Sequence, residues 1–329
     1  MSGCVLRRAE RERGAVAIIV AICAVVLFGM AAYALDTGNA WGTRRHLITA
    51  TDAAALAAAQ KYAVGGNGCA TEPSAFVTAN DVGASVTGCA FTNLGPGAGY
   101  VTVNAKKTVD YTFAGLFGIN SQDIHSSTTA LYGQPLGVTG LRPLGLCQDF
   151  GALKAWLDGG MPTPSDPIQI SYTKDSPNDC GANAPGNWGV MDFNGGANSN
   201  NDTKNWVLNG YPDEVDAPST IPGDTGAISN SLANGLSYLK TSGITFELPI
   251  YATVAGNGAN AQFGVVGFVP VVLLDYRVTG PEASRYITLQ FEQAVAQGRC
   301  CSHGPDTGVR VVAICAVTPT FDSSNCSDR

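Results

Sequence analysis

Residues 15–62 read AVAIIVAICAVVLFGMAAYALDTGNAWGTRRHLITATDAAALAAAQKY. The first 21 of them, Ala15 to Leu35, carry no charge. As a helix rising ~1.5 Å per residue they extend about 31 Å, the thickness of a bilayer's hydrocarbon core. Arg7, Arg8, Arg11 and Arg13 precede this run, Asp36 follows it at once, and Arg44 and Arg45 are the next cations. That charge bias keeps the short N-terminus in the cytoplasm and carries the rest across the membrane. The predicted topology is a basic cytoplasmic segment (1–14), a transmembrane helix bounded by Ala15 and Leu35, and an extracytoplasmic remainder. A cleaved signal peptide is the competing reading, because Ala32-Tyr33-Ala34 has the small-x-small form of a cleavage site. The apolar run exceeds the 7 to 15 residues usual for a signal core, which favours retention.

Helical character continues beyond the span. Residues 43–62 are free of Pro and Gly and rich in Ala, the best helix former, so 36–62 is predicted as a stalk helix. Leu47, Ala50, Ala54 and Ala57 or Ala58 recur at steps of three and four, while Arg45, Thr49 and Asp52 fall on another face. A face of small residues permits close backbone approach. It suits packing on this chain's own first module and packing on neighbouring subunits alike, the former being the simpler expectation.

Gly65 to Gly68 ends the stalk, and 63–135 reads as a small α+β module with strand patterns at 100–105 and 123–132. Residues 136–329 form a Gly/Asn-rich and then β-rich exported domain. Its strands are expected near 244–254, 264–278, 286–291 and 309–317, with Asn257-Gly258 as a hairpin turn and one short helix at 232–239. The fold class is therefore α+β.

The 19 Lys and Arg against 26 Asp and Glu give a net charge of −7. Setting aside the first 35 residues removes four Arg and two Glu and leaves −9. No basic stripe exists to displace counterions from phosphates, so nucleic acid is not an expected partner. Of the 10 Cys, Cys4 and Cys23 lie before or inside the span. The other eight suit an oxidising compartment: Cys69 with Cys89, Cys147 with Cys180, and Cys300, Cys301, Cys315 and Cys326 as a group making two more pairs. A zinc site at Cys300, Cys301 and His303 is disfavoured, since adjacent cysteines lack the usual spacer.

Catalytic signals are few. The chain has three His and no G-x-S-x-G, H-E-x-x-H or Walker loop, so no enzyme activity, cofactor or metal is expected. Asp213, Glu214 and Asp216 could serve a hydrolase as acid and base, but their Gly/Pro-rich setting reads as a solvated loop. Asp192, Asn194, Asn198, Asn200 and Asp202 offer oxygen ligands out of register with known calcium loops. Trp188, in PGNWGVMDFNGG, is the candidate for a ligand surface, glycan or protein, in a surface-anchored binding module.

The segment RERGAVAIIVAICAVVLFGMAAYALDTGNAWGTRRHLITATDAAALAAA resembles the N-terminus of TadG-like proteins of the Tad (Flp) pilus-assembly machinery. Gly14, Asp36, Arg44 or Arg45, Asp52 and the Ala-rich block 53–59 occupy that family's pattern. The resemblance implies a structural component of a pilus or secretion apparatus. It further implies a single-pass anchor in the cell membrane, stalk contacts at Asp36, Arg44, Arg45 and Asp52, and other Tad proteins as partners. Hydrophobicity alone would dictate neither Asp36 nor Asp52. Where relatives carry Leu-Gln-Ala-Ala-Asp, this chain has Leu47-Ile48-Thr49-Ala50-Thr51-Asp52, and it lacks the Asp-x-Ser-x-Ser metal motif of those relatives with a von Willebrand A domain. Cleavage after Gly14 would put Ile19 at the fifth position, where pilins usually have Glu, so an unprocessed anchor is expected. Shorter stretches, including YTFAGLFGINSQDIHSSTTALYG and VVGFVPVVLLDYRV, resemble segments of longer pilus-assembly proteins.

Overall fold

The computed structural model describes residues 5–171, 180, 189–195, 200–224, 230–256, 260–302, 304–315 and 326–327. It is α+β, and it divides into two compact units interleaved along the chain. The first comprises Met1–Ala54, Thr71–Cys89 and Val103–Thr128; the second comprises Ala55–Ala70, Ala90–Thr102 and Thr129–Arg329.

A single helix, α1 (Val5–Ala63), opens the chain and runs unbroken for 59 residues. In the first unit its apolar run is bare: the large side chains from Val16 to Leu35 stand between 49% and 75% exposed. A surface of this kind calls for an apolar covering, and the helix is long and apolar enough to cross a membrane. Further along, Leu47, Ala50, Thr51 and Ala54 are fully buried, the three- and four-residue spacing that turns one helix face inward. The Thr51 hydroxyl is satisfied by the Leu47 carbonyl at 2.7 Å and lies 2.7 Å from Ser126 Oγ. α2 (Glu72–Asn80) starts with Pro in its first turn, where the missing N–H costs nothing, and buries Val77.

Three long strands follow, β1 (Ser85–Gly95), β2 (Ala98–Asp110) and β3 (Ser121–Val138), neighbours in that order. On β2, Val101, Val103, Ala105 and Val109 point inward at every second position or a multiple of it. Lys107 pairs with the buried Asp81, and Lys106 with Asp123 at 2.9 Å.

The second unit adds β4 (Leu146–Cys147), α3 (Gly151–Asp158), β5 (Ile168–Ile170), α4 (Asn200–Asn209), β6 (Val215–Asp216), β7 (Ser219–Pro222) and α5 (Ala233–Ser242). After these come β8 (Thr245–Ala255), β9 (Gln262–Arg277), β10 (Tyr286–Phe291), β11 (Ala294–Val295), β12 (Gly298–Ser302), β13 (Val309–Cys315) and β14 (Cys326–Ser327). One sheet runs β1-β2-β3-β13-β11, with β6 and β12 also on β3 and β14 on β13. The other runs β4-β8-β9-β10-β5, with β7 on β9. The meander β8-β9-β10 is antiparallel, whereas β4 with β8 and β11 with β13 are parallel. Phe268, Val269 and Val271 on β9 are buried with only Pro270 between Val269 and Val271, as expected of a central strand covered on both faces. They pack in one core with Leu248, Ile250 and Phe291. Asn257-Gly258 lies outside the described residues, but the β8–β9 pairing it was expected to close is present. The helices in the Gly/Asn-rich stretch are short, and α3 among them buries Leu153 and Trp156.

Glu247 on β8 sits within this unit beside the buried Arg142, whose backbone N–H donates to the Glu247 carbonyl at 3.1 Å. Burial pushes the Glu247 carboxyl up to about 7, against the pull of its own backbone N–H and of the Arg142 charge. The folded chain therefore binds more protons than the unfolded chain between pH 4.5 and about 7, and stability falls as pH rises through that window. Glu247→Gln should remove this slope. In urea titrations the variant is expected to match the parent near pH 4 and to exceed it by about 3 kcal/mol at pH 8, and parallel profiles would refute the assignment.

Candidate functional site

The connection from β2 to β3 passes through a 3-10 turn, Ala114–Phe117, closed by Gly118 in the left-handed region at φ 84° and by the Tyr111 N–H on the Asn120 carbonyl at 2.8 Å. The first N–H groups of such a turn have no acceptor within it. Here Asp36 supplies one. Its Oδ1 accepts from the Thr112 N–H at 3.0 Å, and its Oδ2 from Phe113 at 3.0 Å and Ala114 at 2.7 Å. Removal from water works against the charge, but the three donors outweigh it and hold the carboxyl below the usual aspartate range. Asp36 is itself buried, although it directly follows the exposed apolar run.

Four helical turns on, Asp52 Oδ1 accepts from the Thr128 hydroxyl of β3 at 2.8 Å. With the Thr51–Ser126 contact, this fixes the rotation of α1 against β3 within the first unit. Arg44 and Arg45 are both exposed, and the Arg45 guanidinium lies 4.8 Å over the Trp41 ring. The structure thus brings Asp36 and Asp52 to strand and loop partners and leaves the two arginines at the surface. The partners of Asp36 are backbone groups 76 to 78 residues away, with no side-chain signature for sequence reasoning to find.

In the second unit α1 ends at Ala63, and Gly65 at φ 80° turns the chain out of the helix. The buried Arg310 donates to the Ala63 carbonyl, to Gln293 Oε1 at 2.8 Å and to Asp306 Oδ2 at 2.6 Å. A cation on the last carbonyls satisfies orphan acceptors and opposes the helix dipole. A cavity of about 430 Å3 borders this cap, lined in part by Tyr62, Asn93, Tyr132 and Arg310. Tyr62 stacks on Phe91 with centroids 4.1 Å apart.

The remaining sequence candidates are dispersed. Arg299 bridges Glu214 at 3.2 Å and Asp216 at 2.6 Å on an exposed face, and Asp213 bonds Tyr211, so the three acidic groups are engaged in surface contacts. Asp192 Oδ1 accepts from the Asn194 and Gly195 N–H groups at 3.1 Å, an Asx turn. Cys147 and Cys180 are disulfide-bonded with Cα atoms 5.3 Å apart, which commits the sulfurs of the cluster they form with Asp149. Cys300 pairs with its neighbour Cys301, and Cys69, Cys89 and Cys315 are also disulfide-bonded. Cys326 lies opposite Cys315 in the β13–β14 register. Trp188, Asn198 and His303 lie outside the described residues.

Residues 14–61 match the family described as putative Flp pilus-assembly TadE/G-like. This TadE/G-like segment begins one residue before the apolar run, contains Asp36, Arg44, Arg45 and Asp52, and stops two residues short of the end of α1. No curated protein and no solved structure matches the chain.

If Asp36 alone holds the 3-10 turn to α1, Asp36→Ala should expose the Thr112, Phe113 and Ala114 amides. Hydrogen exchange by mass spectrometry is expected to show at least tenfold faster exchange there, with the Ala50–Ala54 turn of α1 unchanged. Unaltered exchange at 112–114 would show that other contacts hold the turn.

Proposed function

We propose that this protein is a structural, non-enzymatic component of a Tad (Flp) pilus-assembly or secretion apparatus. In this reading α1 crosses the cell membrane once from a cytoplasmic N-terminus, and the chain beyond Leu35 faces the extracytoplasmic side. The observation that carries it is the TadE/G-like match over 14–61, which falls on the helix that is bare over its apolar half and built into the first unit through Asp36 and Asp52.

Four further features support the reading. The Arg excess before the span favours a cytoplasmic N-terminus. Cysteines at disulfide distance suit an oxidising compartment. The only clustered carboxylates that suggested hydrolysis are tied to Arg299 and Tyr211, a surface ion-pair arrangement rather than a cleft with an acid and a base. Ile19 in place of the pilin glutamate favours a fixed anchor over a subunit that is trimmed and enters the fibre. The partners are the membrane and other pilus-assembly proteins.

Deleting the gene should abolish surface pili or reduce them at least tenfold by electron microscopy. The wild-type chain should restore them, and Asp36→Ala and Asp52→Ala should restore them poorly. A deletion strain with normal pilus number and surface attachment would refute the proposed role.

A further inference from the structure

Residues 112–119, Thr-Phe-Ala-Gly-Leu-Phe-Gly-Ile, form the β2–β3 connection and contain no charged residue. Asp36 decides where this loop lies. Its carboxylate sits 2.7 to 3.0 Å from the loop's first three amide nitrogens, so the loop is pinned to α1 at the height of residue 36. Residue 36 is also where the 21-residue apolar run ends, and that run fills a hydrocarbon core of ~30 Å by itself.

The helix surface marks the same level independently. Tyr33, three residues before Asp36, is 74% exposed, and Trp41, five residues after it, is 62% exposed. The two lie about 12 Å apart along the axis, bracketing Asp36 with the aromatic residues that favour the membrane–water boundary. Beyond the pinned amides the loop continues through Gly118 to Ile119, an aliphatic side chain left 56% exposed. An apolar, uncharged loop tip held at the exit of an apolar helix has one natural covering, the bilayer the helix leaves.

We propose that residues 112–119 enter the headgroup–acyl boundary of the membrane crossed by α1, as a second, interfacial contact of the first unit. The inference rests on the reading of α1 as a membrane span. One helix alone leaves the tilt of the folded residues over the membrane surface open; a loop seated in the leaflet that α1 leaves restricts that tilt. The recognising chemistry is apolar insertion into neutral phospholipid. The loop has no cation for anionic headgroups, and the net charge of −9 beyond the span opposes them.

The test uses the full chain in phosphatidylcholine nanodiscs, with benzoylphenylalanine replacing Ile119 in one variant and Phe28, inside the span, in another. Both side chains are exposed, at 56% and 75%, so neither replacement disturbs a packed core. After irradiation, mass spectrometry should find phosphatidylcholine adducts at position 119 within about threefold of the yield at position 28. Lipid adducts at 28 with only background or protein adducts at 119 would overturn the interfacial loop and leave the span intact. Absence of lipid adducts at both positions would overturn the span, and the loop proposal with it.

Discussion

One carboxylate ties the long N-terminal helix to the β2–β3 turn. Asp36 stands at the step where α1 changes from a helix bare on all sides to one with a buried face, and there it gathers three backbone N–H groups that the β2–β3 turn cannot satisfy internally. A charged acceptor for several amides is among the stronger hydrogen-bonding arrangements in proteins. A buried carboxylate is costly unless it finds donors, and here it finds them on the chain itself. Asp52 and Thr51 then repeat the connection on β3, so the first unit is assembled on the same helix that carries the apolar run.

The far end of α1 shows the same economy. Ala55, Ala58, Ala59 and Ala63 are fully buried, and the helix stops under the Arg310 cap, which Asp306 neutralises in turn. Small side chains let other backbone come close: a Cβ on Gly68 would lie 2.0 Å from the Ala58 carbonyl. The Ala-rich block 53–59 therefore serves packing within this chain along its buried positions, and Asp36 and Arg310 fix the two ends of the helix outside the apolar run.

Much of this is legible in the sequence. The uncharged run, the Ala-rich continuation and the Gly65 stop define α1, because helix periodicity and breakers act locally. Alternation and β-branched runs located β8, β9, β10 and β13 for the same reason, and 232–239 anticipated α5. Asp36 and Asp52 stood out as acidic residues that hydrophobicity would not place there. Their partners did not, because Thr112 to Ala114 contribute only backbone and Thr128 only a hydroxyl, at sequence distances of 76 to 78 residues. The parallel pairings β4–β8 and β11–β13 were equally hidden, since two-residue strands carry no periodicity. Four of the five passages between the two units fall inside α1, β1, β2 and β3, where composition carries no mark, and the fifth, between Ala70 and Thr71, follows the Gly-rich stretch Gly65–Gly68.

The central proposal is that α1 is both anchor, through its apolar run, and scaffold, through the buried face of its later turns. The most direct measurement is the mass of the N-terminal peptide from native membranes washed with alkaline carbonate. The account predicts that the chain stays in the washed membrane fraction with its Arg7–Arg13 segment and Ala15–Leu35 run intact. A mature N-terminus at Leu35 on carbonate-released protein would contradict it, since the head would then fold and persist without the anchor.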